Sequence, residues 1–174
     1  MTNEEKRAKR AKKTAEIFTP PHLVDEMLAK LPEEVWEEGK TFLDNSCGNG
    51  NFLAAILERK LSLNHNPLDA LRSVYGADIM PDNILECRVR LLKIIAKKED
   101  ITEDHICAVL KNIVWIDMSV NPTGSLEYDF SFNAEISKTE IDEWLNYING
   151  NTTAEPPVLR WESKKDIVDL FEGI

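Results

Sequence analysis

The twelve residues from Phe42 to Leu53 combine residue types that suit a ligand-binding turn. They read FLDNSCGNGNFL: a short apolar strand that ends in Asp44, a turn with two glycines, and the start of an apolar-periodic helix. Gly48 and Gly50 have no Cβ, so the backbone can turn tightly and approach a ligand, while the following helix N-terminus offers free N–H groups. The stretch therefore predicts a site for a ligand that carries a carboxylate or hydroxyl groups. A plain strand-to-helix connection is the alternative.

The spacing of the glycines separates this turn from the usual dinucleotide-binding fingerprint, which has three glycines in the order G-x-G-x-x-G. The pattern here resembles the first motif of the S-adenosylmethionine-dependent DNA adenine-N6 methyltransferases of restriction-modification systems, D-P-x-C-G-x-G-x-F-L, and lacks only its proline. The resemblance implies that S-adenosyl-L-methionine is the cofactor. It implies a cofactor pocket that includes Asp44, Ser46, Cys47, Gly48, Gly50 and Phe52. We interpret Cys47 as a small packing residue and not as a nucleophile.

A second segment, EIFTPPHLV at residues 16–24, resembles the F-T-P-x-x-L-V motif of the same family. The resemblance implies that Phe18 and Thr19 hold the methionine end of the cofactor. Thr19 also stands before Pro20, so it could be the N-cap of a helix that starts after the prolines. The two roles do not exclude each other.

A third segment, YGADIMPDNILECRVRL, resembles the second motif of the family. Asp78 follows a predicted strand, and an acid at that point can accept hydrogen bonds from both ribose hydroxyls of a nucleoside. The resemblance adds Ile79 to the cofactor pocket, and it gives Asp117 and Met118, after a later strand, the role of contacting the adenine. The alternatives are a strand-end carboxylate or helix cap for Asp78 and a solvent-exposed loop residue for Asp117.

The site for the methyl-accepting amine departs from the family pattern. Members carry N-P-P-Y after the fourth strand, whereas this chain has Asn133 followed by Ala134, Glu135 and Ile136. Asn133 is the candidate catalytic residue, because its side chain can accept a hydrogen bond from an adenine amino group. Without the prolines and the aromatic ring, both the alignment of the amine and the stacking of the base are weakened.

Apolar periodicity and the positions of proline predict the elements that carry these residues. The predicted strands are Thr41–Asp44, Ser73–Ala77, Asn112–Ile116, Tyr128–Phe132 and Val158–Trp161. The predicted helices are His22–Leu31, Asn51–Leu61, Leu68–Arg72, Pro81–Lys97, Thr102–Leu110, Lys138–Tyr147 and Lys164–Phe171, with an acidic linker from Pro32 to Lys40. Strands that alternate with helices favour an α/β fold, here a class I methyltransferase-like (Rossmann-like) fold with a mainly parallel sheet and helices on both faces. We expect a basic N-terminal helix (1–16) and a single domain (17–174).

Charge is unevenly distributed along the chain. The first thirteen residues carry six basic side chains and two glutamates, so they have a net charge of +4 in a chain of net charge −10. This segment is either a solvated terminus or an arm that contacts phosphates. The three cysteines lack zinc-site spacing, and no long apolar run or secretory signal is present, so we expect a cytoplasmic protein without a membrane segment or a metal.

The leading functional hypothesis is therefore an adenine-N6 DNA methyltransferase that uses S-adenosyl-L-methionine. The chain lacks the target-recognition part that family members usually carry, so we expect a short form or a subunit whose partner recognises the DNA. Two alternatives stay open. One is a non-catalytic protein that binds the cofactor in a regulatory role, and the other is a methyltransferase acting on a protein or a small molecule.

Overall fold

A computed structural model describes residues 5, 17–116, 136–152 and 155–157, and within these ranges the chain is an α/β structure. The strands are β1 (Phe42–Asp44), β2 (Val74–Asp78) and β3 (Ile113–Trp115). The helices are α1 (Pro21–Ala29), α2 (Asn51–Ser62), α3 (Pro67–Arg72), α4 (Pro81–Ala96), α5 (Glu103–Asn112) and α6 (Lys138–Ile148). Each lies within a few residues of its predicted position. Outside the described residues lie the predicted strands Tyr128–Phe132 and Val158–Trp161, the helix Lys164–Phe171 and, apart from Glu5, the basic segment 1–16.

The described strands form one parallel sheet of three strands in the order β1-β2-β3. Each crossover between neighbouring strands contains helices, and right-handed crossovers that step in one direction place their helices on the same face of a sheet. Helices α2 and α4 accordingly contact each other, and both contact β2. The carboxyl ends of β1 and β2 lie at one edge of the sheet, where Asp44 and Asp78 end their strands.

The two faces of this sheet differ in how they are covered. Side chains alternate along a strand, so Gly76 and its neighbours two residues away face one side. A Cβ added at Gly76 would lie 2.6 Å from the Leu53 side chain, so this side faces α2. Leu43 pairs with Tyr75 on the opposite side and is 55% exposed. The described residues therefore establish an α/β fold with one helical layer, and a second layer of helices stays a prediction.

Buried polar side chains connect the helices to the sheet. The Arg88 guanidinium on α4 donates hydrogen bonds to the main-chain carbonyls of Leu110 (3.2 Å) and Ile113 (2.7 Å). The Asn112 side chain at the end of α5 donates to the carbonyl of Val74 (3.2 Å). Since a buried carbonyl without a donor is costly, these bonds stabilise the junctions where α5 ends and β2 and β3 begin.

The acidic stretch that we predicted to be a linker, Pro32–Lys40, contains a buried anchor. A short 3-10 helix spans Glu33–Trp36, and the Trp36 side chain is only 2% exposed. Its ring lies 5.0 Å from the ring of Phe42, and the Arg59 guanidinium lies 3.9 Å above it. The description as a linker was incomplete because one aromatic residue in an acidic run produces no helical or strand period.

Candidate functional site

The glycine turn between β1 and α2 has the backbone conformation that its sequence predicts. Gly48 and Gly50 both have positive φ, +52° and +85°, and Gly50 is the N-cap residue of α2. A Cβ at Gly50 would lie 2.5 Å from the Cys87 sulfur on α4, and a Cβ at Gly48 would lie 2.9 Å from the Phe18 ring. Glycine is therefore required at Gly50 both by the conformation and by the close approach of α4.

Asp78 holds the glycine turn in place. Its Oδ2 accepts a hydrogen bond from the Gly48 N–H (2.9 Å), and its Oδ1 accepts from the Met80 N–H (2.8 Å) and the Asn83 side chain (3.3 Å). The bond to Met80, two residues further along the chain and the N-cap residue of α4, closes a local turn at the end of β2. A carboxylate offers about four acceptor positions, so these three bonds leave capacity for a ligand hydroxyl on Oδ2.

Asp44 brings a second carboxylate to the same edge of the sheet. The Ser46 N–H donates to its Oδ1 (3.2 Å). Burial raises the pKa of Asp44 above its usual value, the Ser46 hydrogen bond lowers it, and the neighbouring Asp78 charge raises it further. Among the described residues, no lysine or arginine forms an ion pair with Asp44 or Asp78. The edge therefore carries negative charge that the described part of the chain does not neutralise.

The segment with Phe18 and Thr19 lies against the glycine turn. Phe18 contacts Gly48, and the Thr19 carbonyl accepts a hydrogen bond from the Asn51 side chain (2.8 Å). Helix α1 begins at Pro21 with Pro20 as its N-cap residue, so the alternative role of Thr19 as an N-cap is wrong. The reason is that the second proline, and not the first, takes the first helical position.

Helix α4 lies behind the turn and contributes residues that we did not predict. Glu86 accepts a hydrogen bond from the Asn49 side chain (3.0 Å), and Arg90 donates to the Asn51 Oδ1 (2.6 Å). The Oδ1 atom of Asn49 is buried and has no hydrogen-bond partner in the described part of the chain. The i, i+4 spacing of Glu86 and Arg90 marks one helix face, but only the folded structure identifies the turn as its partner.

Cys47 is buried beneath the turn, next to Cys87. The hydrogen bond that the Cys47 thiol shares with Cys87 favours the protonated form, and this bond, followed by burial, raises the pKa of Cys47 far above the usual range of a thiol. Since only a thiolate is a good nucleophile, this environment fits a packing role. All three cysteines of the chain are free in the structure.

Of the remaining predicted pocket residues, two lie in the described part of the chain and three lie outside it. Ile79 directly follows the last residue of β2 and is 54% exposed, and its carbonyl accepts a hydrogen bond from the Trp115 indole N–H (2.7 Å). Phe52 is half-buried in the first turn of α2 and packs against the core. Asp117, Met118 and Asn133 lie outside the described residues. Trp115 is a further neighbour of the site that we did not predict.

Comparison with known proteins adds no family assignment. No protein-family model matches the chain, and neither a curated protein nor a solved structure matches it significantly. The three motif segments and the geometry of the described residues are therefore the basis for a function. In that part of the chain, every helix is too short or too polar to cross a lipid bilayer.

Proposed function

We propose that this site binds S-adenosyl-L-methionine and that the chain is a DNA adenine-N6 methyltransferase-like protein. The observation that carries the proposal is that three segments far apart in sequence meet at one edge of the sheet. Gly48 contacts Phe18 and donates to Asp78, and Asn51 donates to Thr19. These are the segments that resemble the three cofactor-binding motifs of the family.

The charge of the site supports this ligand over a phosphate-bearing nucleotide. Asp44 and Asp78 end neighbouring strands, and neither has an ion-pair partner among the described residues. A cluster of uncompensated carboxylates repels phosphate groups and attracts cations. S-adenosyl-L-methionine carries a sulfonium and an ammonium group against a single carboxylate, so its net charge suits the site.

The residues of the described part fit the separate ends of this cofactor. The N–H groups of the first turn of α2, which has no side-chain cap, are available to a carboxylate. Asp78 and Ile79 would hold the adenosine, and Thr19 together with the glycine turn would hold the methionine. When bound, the cofactor supplies an electrophilic methyl group. The task of the chain is then to orient the two reactants, with Asn133 accepting an N–H of the target amine.

A second candidate function, cofactor binding without catalysis by the isolated chain, is favoured by one observation at the amine site. Ile136 stands where the family carries its aromatic residue, and its side chain packs against the hydrophobic core. An aliphatic side chain in this environment offers no ring on which a flipped base can stack. With this second function, either a partner supplies the stacking contact for the base or the chain has a regulatory role.

Titration calorimetry tests the cofactor proposal, with ATP and NAD as ligands that should not bind. We expect Asp78→Ala to weaken the binding of S-adenosyl-L-methionine about ten- to a hundredfold, because one buried hydrogen-bond group without its partner costs about 1–3 kcal/mol. Asp100→Ala, which removes an exposed carboxylate between α4 and α5, is the control. Binding of ATP in preference to the methyl donor, or an unchanged affinity of Asp78→Ala, would refute the proposal.

A further inference from the structure

One face of the first half of helix α4 lies against the glycine turn. Asn83, Glu86, Cys87 and Arg90 have the spacing i, i+3, i+4, i+7, so their side chains share one stripe of the helix. We call these four residues the α4 stripe. They contact, in this order, the Asp78 carboxylate, the Asn49 side chain, the Gly50 backbone and the Asn51 side chain.

Two successive hydrogen bonds connect the last residue of the α4 stripe to the Thr19 segment. Arg90 donates to the Asn51 Oδ1 at 2.6 Å, and the Asn51 Nδ2 donates to the Thr19 carbonyl at 2.8 Å. Both ends of this amide are used, which fixes its orientation, because a flipped amide would direct its NH2 group at the guanidinium and its oxygen at a carbonyl. Asn51 therefore fixes the distance between Thr19 and the first turn of α2.

We infer that Arg90 and Asn51 are positioning residues that set the methionine end of the cofactor pocket. This inference rests on the proposed function and goes beyond it, because neither residue belongs to the pocket that the motifs define. Asn51 is the first residue of α2, so the Thr19 segment is held next to the N–H groups that are available to the methionine carboxylate. Arg90 acts from α4 through Asn51.

Two ligands that share an adenosine should respond differently to the loss of these positioning residues. S-adenosyl-L-methionine has the methionine end, whereas 5′-methylthioadenosine lacks its amino and carboxyl groups. Loss of the Arg90–Asn51–Thr19 connection should weaken binding of the first ligand and leave binding of the second nearly unchanged. A general structural defect would weaken both equally.

Calorimetry of Arg90→Met and Asn51→Ala with both ligands measures whether the two affinities fall by different factors. We expect each variant to lose about tenfold in affinity for S-adenosyl-L-methionine, the equivalent of about one buried hydrogen bond, and less than about twofold for 5′-methylthioadenosine. Arg90→Lys keeps a donor and should restore most of the loss. Lys93→Met, which removes an exposed cation one turn further along α4, is the matched control.

Hydrogen exchange of the ligand-free protein provides a second measurement. The peptide that contains Phe18 and Thr19 should exchange faster in Arg90→Met than in the wild type and in Lys93→Met, because its connection to Asn51 is weakened. Equal losses for both ligands, or unchanged exchange of this peptide, would overturn the inference while the proposed function stands. Failure of the wild type to bind either ligand would instead refute the proposed function, and the inference with it.

Discussion

Gly50 and Gly39 have nearly the same left-handed φ, +85° and +79°, but different surroundings. A Cβ at Gly50 would overlap the Cys87 sulfur at 2.5 Å, whereas nothing lies within 4 Å of a Cβ at Gly39. We expect Gly39→Ala to cost about 1–2 kcal/mol of backbone strain. Gly50→Ala should cost about 1–3 kcal/mol more, because a close-packed neighbour must move.

Urea unfolding of the two alanine variants measures this difference directly, since the backbone strain is common to both. Equal losses of unfolding free energy would mean that the turn can move away from α4 without cost. That result would contradict the close packing of Gly50 on Cys87, and it would weaken the view that α4 determines the shape of the turn.

The single residues of the site differ in how far the sequence alone could identify them. Asp44, Gly48, Gly50 and Asp78 follow from the position of acids and glycines at strand ends, and the structure brings them together. Arg90 could not be assigned in this way, because its partner lies 39 positions earlier in the chain. In the sequence alone, an arginine on an amphipathic helix cannot be told from one that only faces solvent.

Among the helices, α2 is fastened to the segment before β1 by a fully buried lysine. Lys60 is 0% exposed, its Nζ donates to the Lys40 carbonyl (2.6 Å), and it lies 5.3 Å from the centre of the Phe42 ring. Burial lowers the pKa of Lys60 below its usual value, because the charged ammonium loses its hydration.

This lowered pKa makes the stability depend on pH with a definite sign. The usual pKa of a lysine is 10.5, so between the lowered value and 10.5 the unfolded chain binds more protons than the folded chain. The free energy of unfolding must then rise with pH in that window. We expect the wild type to gain stability relative to Lys60→Met as the pH is raised from neutral toward 10.5, as measured by chemical denaturation at several pH values.

The control for this measurement is Lys93→Met, which removes an exposed lysine and the same formal charge. A stability difference between the wild type and Lys60→Met that stays constant across the pH range would contradict the effect of burial. If the stability difference between the wild type and Lys93→Met changed with pH by the same amount, the pH dependence would be an effect of net charge.

The helices and strands themselves were largely predictable, because proline at the first helical turn and apolar periodicity mark their limits. Helix α4 was predicted as Pro81–Lys97 and ends at Ala96, and α5 begins after Thr102 as predicted, with His105 completing the capping box. Which face of the sheet the helices cover was less predictable. It follows from the order of the strands and from packing between residues distant in sequence, such as Leu53 on Gly76.

For the molecule as a whole, the proposed active site has a cofactor part, whose segments mostly lie in the described residues, and an amine part, whose Asn133 does not. Thr19, the glycine turn and Asp78 come together in the described residues, through hydrogen bonds that the three motifs did not specify. Asn133 lies outside the described residues, and Ile136 contributes to the core. On the proposed function, the described residues therefore assemble most of the cofactor pocket, whereas Asp117, Met118 and the amine-site Asn133 lie outside them.

Methyl transfer by the isolated chain should accordingly be weak or absent. Asn133 can accept one N–H bond from a target adenine, but Ala134 does not fix the second acceptor carbonyl as a proline would. A flipped base that lacks an aromatic partner also loses stacking worth about 1–3 kcal/mol. Since each 1.4 kcal/mol is about tenfold in rate, the two losses together should reduce the rate by at least a few powers of ten.

The decisive measurement of catalysis is transfer of labelled methyl groups to mixed-sequence DNA, by the wild type and by Asn133→Ala, in parallel with calorimetry of the cofactor. We expect cofactor binding by both proteins and no appreciable transfer by either. Transfer by the wild type that disappears in Asn133→Ala would show that N-A-E-I is a working variant of the amine-site motif, and the non-catalytic function would then have to be abandoned. Transfer that persists equally in Asn133→Ala would remove Asn133 from the catalytic site, because a group that aligns the amine cannot be dispensable for its methylation.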